Sequence, residues 1–324
     1  MSDDRVKTLQ MKRTSRLSGF YRQSPERRRA RLVEARWLSS EEAEGLAELS
    51  GFDEACADAM VENVVGIHGL PLGVALNFLV DGKERLIPMA VEEPSIIAAA
   101  SYAARLCAES GGFTVEADPP ITTAQVELLD VPSLEDARAA LHAHLALLLA
   151  ESDALIPAMC ERGGGTRELE VRVLDATTLV VHLHIDTRDA MGANCVNSVA
   201  EGMAPRLAEL TGARPGLKIL TNLADRRKVH VRTRVPVSAL VSEGFSDGAA
   251  VRDGILAAHR FAELDPYRAV THNKGVMNGV DAVLVACGND WRAVEAGAHA
   301  WASRSGSYRP LTTWRAGEDG ALEG

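Results

Sequence analysis

The 324-residue chain has no uninterrupted apolar run long enough to cross a bilayer, so no membrane-spanning helix is expected. Its opening residues, MSDDRVKTLQMKRTSRL, carry charges and no apolar core, which argues against a signal peptide. Cysteine is sparse: Cys56, Cys107, Cys160, Cys195 and Cys287 are odd in number, scattered, and mostly inside apolar stretches. That usage points to buried, reduced thiols and a cytoplasmic protein rather than to a disulfide framework. There is no CxxC and no HExxH, so no metal is expected. The strand-turn-helix fingerprint GxGxxG is also missing, which argues against an ordinary Rossmann dinucleotide site.

A net charge of −10 disfavours nucleic acid as a partner. The charge is uneven, because residues 1–36 hold eleven Lys or Arg against four acids. SPERRRARLVEAR within that stretch has a helix signature, with Ser24 as N-cap and Pro25 at the first helical position. Its arginines suit either a solvated helix face or contacts to an anionic phosphate.

The apolar patterning divides the chain into three parts: 1–115, 116–223 and 224–324. In the first, a capping box at Ser39 and Glu42 opens one short helix and DEACADAMVENV forms another. Asp81-Gly82 then joins two apolar runs as a hairpin, and PSIIAAASYAARLCAESGG reads as a small-residue helix with Pro94 at its start. The middle part runs strand, helix (SLEDARAALHAHLALLLAES), strand, strand, helix (AMGANCVNSVAEGMAPRLAELTG), strand. This βαββαβ order is ferredoxin-like, an antiparallel sheet backed by two helices. Helices resume at DGAAVRDGILAAHRFAEL, so the expected fold class is α+β, a mainly helical large domain interrupted by an inserted ferredoxin-like domain.

Several segments are suited to chemistry. HNKGVMNGVDAVLVACGND places a polar Asn-Lys-Gly turn and a Gly-Asn-Asp turn on either side of an apolar segment, with Lys274 and Asp290 at its two ends. Such a pair, held close, suits carbonyl chemistry. In DTRDAMGANCVNSVAEG a strand ends in acids before a long helix. Its N-terminal N–H groups, with Gly192 allowing close approach, suit a pyrophosphate; Asp189 as a helix cap and Gly192 as a packing residue is the alternative. Glu93, between a strand and a helix, either complements the helix dipole or, if buried, becomes a proton donor with a raised pKa. His182 and His184 alternate on one strand face. ENVVGIHGLPLGVALNF is a glycine-rich loop, and Arg268, Lys274 and Asn278 in DPYRAVTHNKGVMNG form a strip suited to a small carboxylate.

Six segments, ENVVGIHGLPLGVALNF, VEEPSI, RDAMGANCVNSVAE, LTNLADRR, DPYRAVTHNKGVMNG and ACGNDWRAVEAGAHA, together resemble the class II, bacterial type of 3-hydroxy-3-methylglutaryl-coenzyme A reductase, in the same order from about residue 16 onward. The resemblance implies a large domain, an inserted dinucleotide-binding domain and a homodimer with active sites where subunits meet. It implies that Glu93, Lys274 and Asp290 are catalytic, that Ser95, Arg268 and Asn278 hold the hydroxymethylglutaryl part, and that Arg22 contacts a coenzyme A phosphate. Asp153, Asp189, Met191, Gly192, Asn194 and Asn222 would bind the dinucleotide, NADH or NADPH, with Asp153 at the adenosine ribose.

The implied reaction interconverts 3-hydroxy-3-methylglutaryl-coenzyme A with mevalonate and coenzyme A by two hydride transfers. Lys274 would stabilise the developing oxyanion, Asp290 would orient that lysine, and a buried, protonated Glu93 would supply the proton. Family members continue into a flap whose histidine, in a Leu-His-Ala-Arg-Asn-like context, protonates departing thiolate, and no histidine here has that context. The chain is therefore expected to be truncated at its C-terminus and poorly active on the thioester. An inactive dinucleotide- or acyl-coenzyme A-binding fragment is the alternative function.

Overall fold

In this computed structural model, residues 13–48 and 52–324 are described. The signal-peptide reading and the first part of the basic stretch fall on residues 1–12, outside the described residues. In chain order the helices and strands are α1 (Pro25–Glu34), α2 (Ser40–Glu48), α3 (Glu54–Met60), β1 (Leu72–Val80), β2 (Lys83–Ala90), α4 (Ile96–Ala108), β3 (Phe113–Ala117), β4 (Ile121–Leu129), α5 (Leu134–Ala143), α6 (Leu145–Ala154) and α7 (Pro157–Glu161). They continue with β5 (Gly165–Val173), β6 (Leu179–Asp186), α8 (Ala193–Thr211), β7 (Arg214–Leu220), β8 (Val229–Val235), α9 (Gly248–Leu264), α10 (Pro266–Ala286), α11 (Trp291–Ala302), β9 (Arg315–Ala316) and β10 (Leu322–Glu323). Among the described residues no helix is long and apolar enough to cross a membrane.

The chain forms two compact units. One comprises residues up to Val115 with Val231–Trp291 and Ser305–Gly324; the other comprises Glu116–His230 with Arg292–Arg304.

In the first unit, Ser24 caps α1 by accepting the Arg27 N–H, and Pro25 opens the helix. Two arginines of this stretch serve the backbone: Arg28 donates to the Phe20 and Tyr21 carbonyls and Arg31 to that of Ser18, while Arg27 pairs with Glu34. Ser39 and Glu42 exchange hydrogen bonds as a capping box at α2. Helix α3 stops at Met60, short of the VENV that the sequence had suggested. The β1–β2 hairpin turns on Asp81 (φ 47) and Gly82 (φ 70), the two left-handed residues a type I′ turn requires. Strand β1 bulges at Asn77 (φ 68), where the Asn77 amide donates to the Ser101 carbonyl of α4. Pro94 does not begin α4: the helix starts at Ile96 after Ser95, which sits at φ 73. The sheet order is β2-β1-β3-β8-β10-β9.

The second unit is ferredoxin-like, with sheet order β5-β6-β4-β7 and every neighbouring pair antiparallel. The alternation of β4 and β6 sends Ala124, Val126, Leu128, Leu179, Val181, Leu183 and Ile185 to one face. There they pack on Val196, Val199, Ala200, Met203 and Leu207 of α8 and Leu141 and Leu148 of α5 and α6. The long first helix expected from the sequence is instead two pieces, α5 and α6, broken at His144 (φ −103, ψ 10), whose ring bonds the Ala140 carbonyl. Beyond the expected helix, α6 ends before Ile156-Pro157, where α7 begins. Pro157 lacks the N–H that an uninterrupted helix would need there, and its ring disfavours a helical Ile156.

Candidate active site

Segment 266–286 is one helix, so the expected Asn-Lys-Gly turn does not exist; Lys274 sits in mid-helix. Helix propensity won over the local turn signal because the segment is well bounded. Asp265 caps its start by accepting the Tyr267 N–H, and Gly288 (φ 65) closes it. There the Gly288 N–H bonds Val285 and the Asn289 N–H bonds Leu284. Asn273 is fully buried; its amide donates to the Arg309 carbonyl and accepts the Leu311 N–H. Beside it, His272 bonds Thr312, 2.7 Å away. These two residues fix the turn of α10 that carries Lys274, and the sequence had not singled out Asn273.

Lys274 Nζ lies 2.8 Å from Oε2 of Glu93, which stands between the end of β2 at Ala90 and the start of α4 at Ile96. The pair joins residues 181 apart in sequence. Both side chains are open to solvent, Lys274 60% and Glu93 44% exposed, which corrects the expectation of a buried Glu93. Ser95 lies two residues on and Asn278 one helical turn beyond Lys274. Arg268 is about 120° around the helix from Lys274 at 100° per residue.

Asp290 follows the C-terminal end of α10, and at about 1.5 Å per residue that helix carries the chain roughly 18 Å from Lys274 to Ala286. Arg22 is turned onto its neighbour, its Nε 3.0 Å from Tyr21 Oη.

In the second unit, β6 and β7 are both antiparallel to β4, and β5 is antiparallel to β6. The end of β6, the end of β7 and the start of β5 therefore lie at one edge of the sheet. That edge gathers Asp189, Met191, Gly192 and Asn194 after β6, Asn222 after β7, and Asp153, whose Oδ1 accepts the Thr166 N–H at 2.6 Å. Asp189 does not cap α8: Gly192 occupies the cap position at φ 87, and no side chain caps the helix. A Cβ on Gly192 would meet Thr187 Cγ2 at 2.6 Å, so conformation and space both require glycine. Met191 is 68% exposed beside it.

Sequence reasoning missed Arg227, whose Nη1 donates to both Thr122 and Thr187 at 3.3 Å, tying the loop after β7 to the loop after β6. It also missed Asn197, which accepts the Leu220 N–H from β7. A groove of about 770 Å³ lined by Leu134, Arg138, His142, Leu145, Leu169 and Val171 lies elsewhere in this unit and contains no candidate residue.

Backbone N–H groups at an uncapped, glycine-led helix start are suited to a dinucleotide phosphate, and a lysine–glutamate pair is suited to carbonyl reduction. Comparison with known proteins places the chain in that class, the NAD(P)-dependent oxidoreductases. The hydroxymethylglutaryl-coenzyme A reductase family model matches residues 24–324, and the chain belongs to that family. It is 41% identical over 314 residues to the 3-hydroxy-3-methylglutaryl-coenzyme A reductase of Archaeoglobus fulgidus, a match covering 96% of this chain and 70% of that protein. A probable reductase of Borreliella burgdorferi is 32% identical over 82% of this chain and 60% of its own length. The class II enzyme of Streptococcus pneumoniae, solved bound to NADPH in open conformations, superposes with a TM-score of 0.91 at 39% identity, covering 94% of this chain and 84% of that one.

Proposed function

We propose that this chain reduces a thioester and then an aldehyde carbonyl, 3-hydroxy-3-methylglutaryl-coenzyme A to mevalonate or the reverse, with Lys274 and Glu93 at the reacting carbonyl. The observation that carries this is the 2.8 Å contact between Lys274 and Glu93 in an exposed position. An exposed ion pair contributes little to stability, about 0–1 kcal/mol, so packing does not explain it. The dinucleotide, NADH or NADPH, supplies hydride; the NADPH in the S. pneumoniae relative supports the phosphorylated form.

The Lys274 ammonium has three donors. With one on Glu93, the others are available to a carbonyl oxygen gaining negative charge, where a fixed cation lowers the barrier. The oxyanion becomes an alcohol by taking a proton from the Lys274 ammonium, and Glu93, ion-paired to that ammonium, holds it in place and relays a replacement proton from solvent. Ser95 and Asn278 flank the pair and hold the substrate; Arg268 and Arg22 serve its carboxylate and the coenzyme A phosphate. The 116–223 segment is the dinucleotide domain between two parts of a large domain, 1–115 and 224–324. In it the N–H groups at the start of α8 take the pyrophosphate beside Gly192, with Asp189, Met191, Asn194 and Asn222 around it and Asp153 at the ribose.

Because α10 runs about 18 Å from Lys274 before the chain reaches Asp290, the proposal draws the two residues of one active site from two copies. This supports a homodimer. Gly275 and Gly279 of α10 face open space, which leaves room for a close approach beside Lys274. A cytoplasmic location is part of the same proposal. Mixing Lys274→Ala chains with Asp290→Ala chains tests the shared site. Each variant alone should be inactive, and the mixture should recover activity; no recovery would refute it.

A further inference from the structure

The face of β6 turned away from the helices carries a polar cluster that the reductase reading does not use. His182 and His184 are buried there, 8% and 3% exposed, and Glu170 on β5 stands directly across the strand pair from His182. One ligand atom from each of Glu170, His182 and His184 lies within 4.8 Å of the others.

Each ring is held from the β4 side. The Thr123 hydroxyl is 2.8 Å from His184 Nδ1, and the Gln125 amide is 2.8 Å from His182 Nε2. Such outer contacts fix ring orientation in metal sites. The remaining nitrogen of His184, Nε2, faces Glu170 Oε2 at 3.3 Å. Two ligands of a tetrahedral ion with bonds of about 2.0–2.1 Å stand roughly 3.3–3.4 Å apart, so this pair is already at ligand spacing.

The protonation states suit ligation. Burial holds both imidazoles below their usual range, with Arg172 adding to the effect at His182 and Arg226 at His184. Burial pushes the Glu170 carboxyl up, but the His184 hydrogen bond, the two imidazoles and Arg226 outweigh it and leave it lowered. Neutral imidazole and ionised carboxylate are the forms that bind a metal. The His184–Glu170 contact is accordingly a hydrogen bond to neutral histidine rather than an ion pair.

The opposing charge is Arg226, whose Nη2 is 3.2 Å from Glu170 Oε2. Its shorter contact, 2.6 Å, is to Glu168, so an ion at Glu170 displaces only the longer of the two. Two nitrogens and one carboxylate suit a borderline transition ion and not the hard, oxygen-seeking Mg²⁺ or Ca²⁺.

We propose that Glu170, His182 and His184 form a three-ligand site for a divalent transition ion such as Zn²⁺, with water or another small ligand completing the tetrahedron. The ion cross-links β5 to β6, and β6 runs directly into the Thr187–Gly192 loop.

The test is titration of the chelator-treated full chain with Co²⁺, read by visible absorption, followed by competition with Zn²⁺. One equivalent giving a tetrahedral cobalt spectrum that Zn²⁺ displaces supports the site. Glu170→Gln, on a half-exposed side chain, should abolish that spectrum while the circular dichroism stays unchanged. Thr123→Val, which removes only the outer contact, should weaken binding by about 10–100-fold. Absence of saturable binding, or binding unchanged in Glu170→Gln and therefore owed to other histidines, overturns the proposal. Neither result bears on the reductase activity.

Discussion

Lys274 and Glu93 are informative because their energetics and their chemistry diverge. Both are exposed, so replacing Lys274 by Ala should shift unfolding stability by no more than about 0.5 kcal/mol in a denaturant titration. Loss of a fixed cation at a developing oxyanion should lower kcat by about 100–1000-fold, measured with saturating substrate. Glu93→Gln keeps a hydrogen-bond acceptor for Lys274 but cannot exchange a proton, so it should impair one half-reaction more than the other. Wild-type rates of the Glu93→Gln variant on both the thioester and the aldehyde would remove its role.

A second residue-scale prediction concerns His182 and His184, both held below the usual imidazole range by burial. The unfolded chain takes up protons near pH 6.5 that the folded one refuses. Their stability contribution is therefore intact above that pH and lost as pH falls below it. The urea midpoint should drop between about pH 7.5 and about pH 5.5, and His182→Gln should flatten the decline. A midpoint that rises on acidification in that window would contradict the assignment.

At the scale of elements, Gly192 shows what a glycine before a helix can mean. Ala there would have to hold φ near 87 and push its Cβ into Thr187. The left-handed conformation alone costs about 1–2 kcal/mol. Gly192→Ala should weaken dinucleotide binding, measured by fluorescence titration, well beyond any change in unfolding of the unit's core. Unchanged nucleotide affinity would remove Gly192 from the site.

Which elements were legible in the sequence follows from how local their causes are. The hairpin at Asp81-Gly82, the caps at Ser24 and Ser39 and the βαββαβ order were readable, because turn chemistry and period-two alternation act within a few residues. Strands β3, β8, β9 and β10 were not, being short and paired only over long sequence distances. Among site residues, Lys274, Glu93 and Gly192 stood out as motifs. Arg227 and Asn273 did not, since each acts through a hydrogen bond to a segment remote in sequence. The turn expected at Asn-Lys-Gly failed because a three-residue signal yields to a helix capped at both ends.

At the scale of the molecule, the proposed reaction needs both the Lys274–Glu93 pair and the helix start at Gly192. The most direct test is aldehyde reduction, which needs one hydride and one proton and no thiolate departure. The wild-type chain, given NAD(P)H and the aldehyde corresponding to mevalonate, should oxidise the nicotinamide. Lys274→Ala should bind the nucleotide with unchanged affinity and oxidise it at least about 100-fold more slowly. Turnover by Lys274→Ala at the wild-type rate would contradict the account.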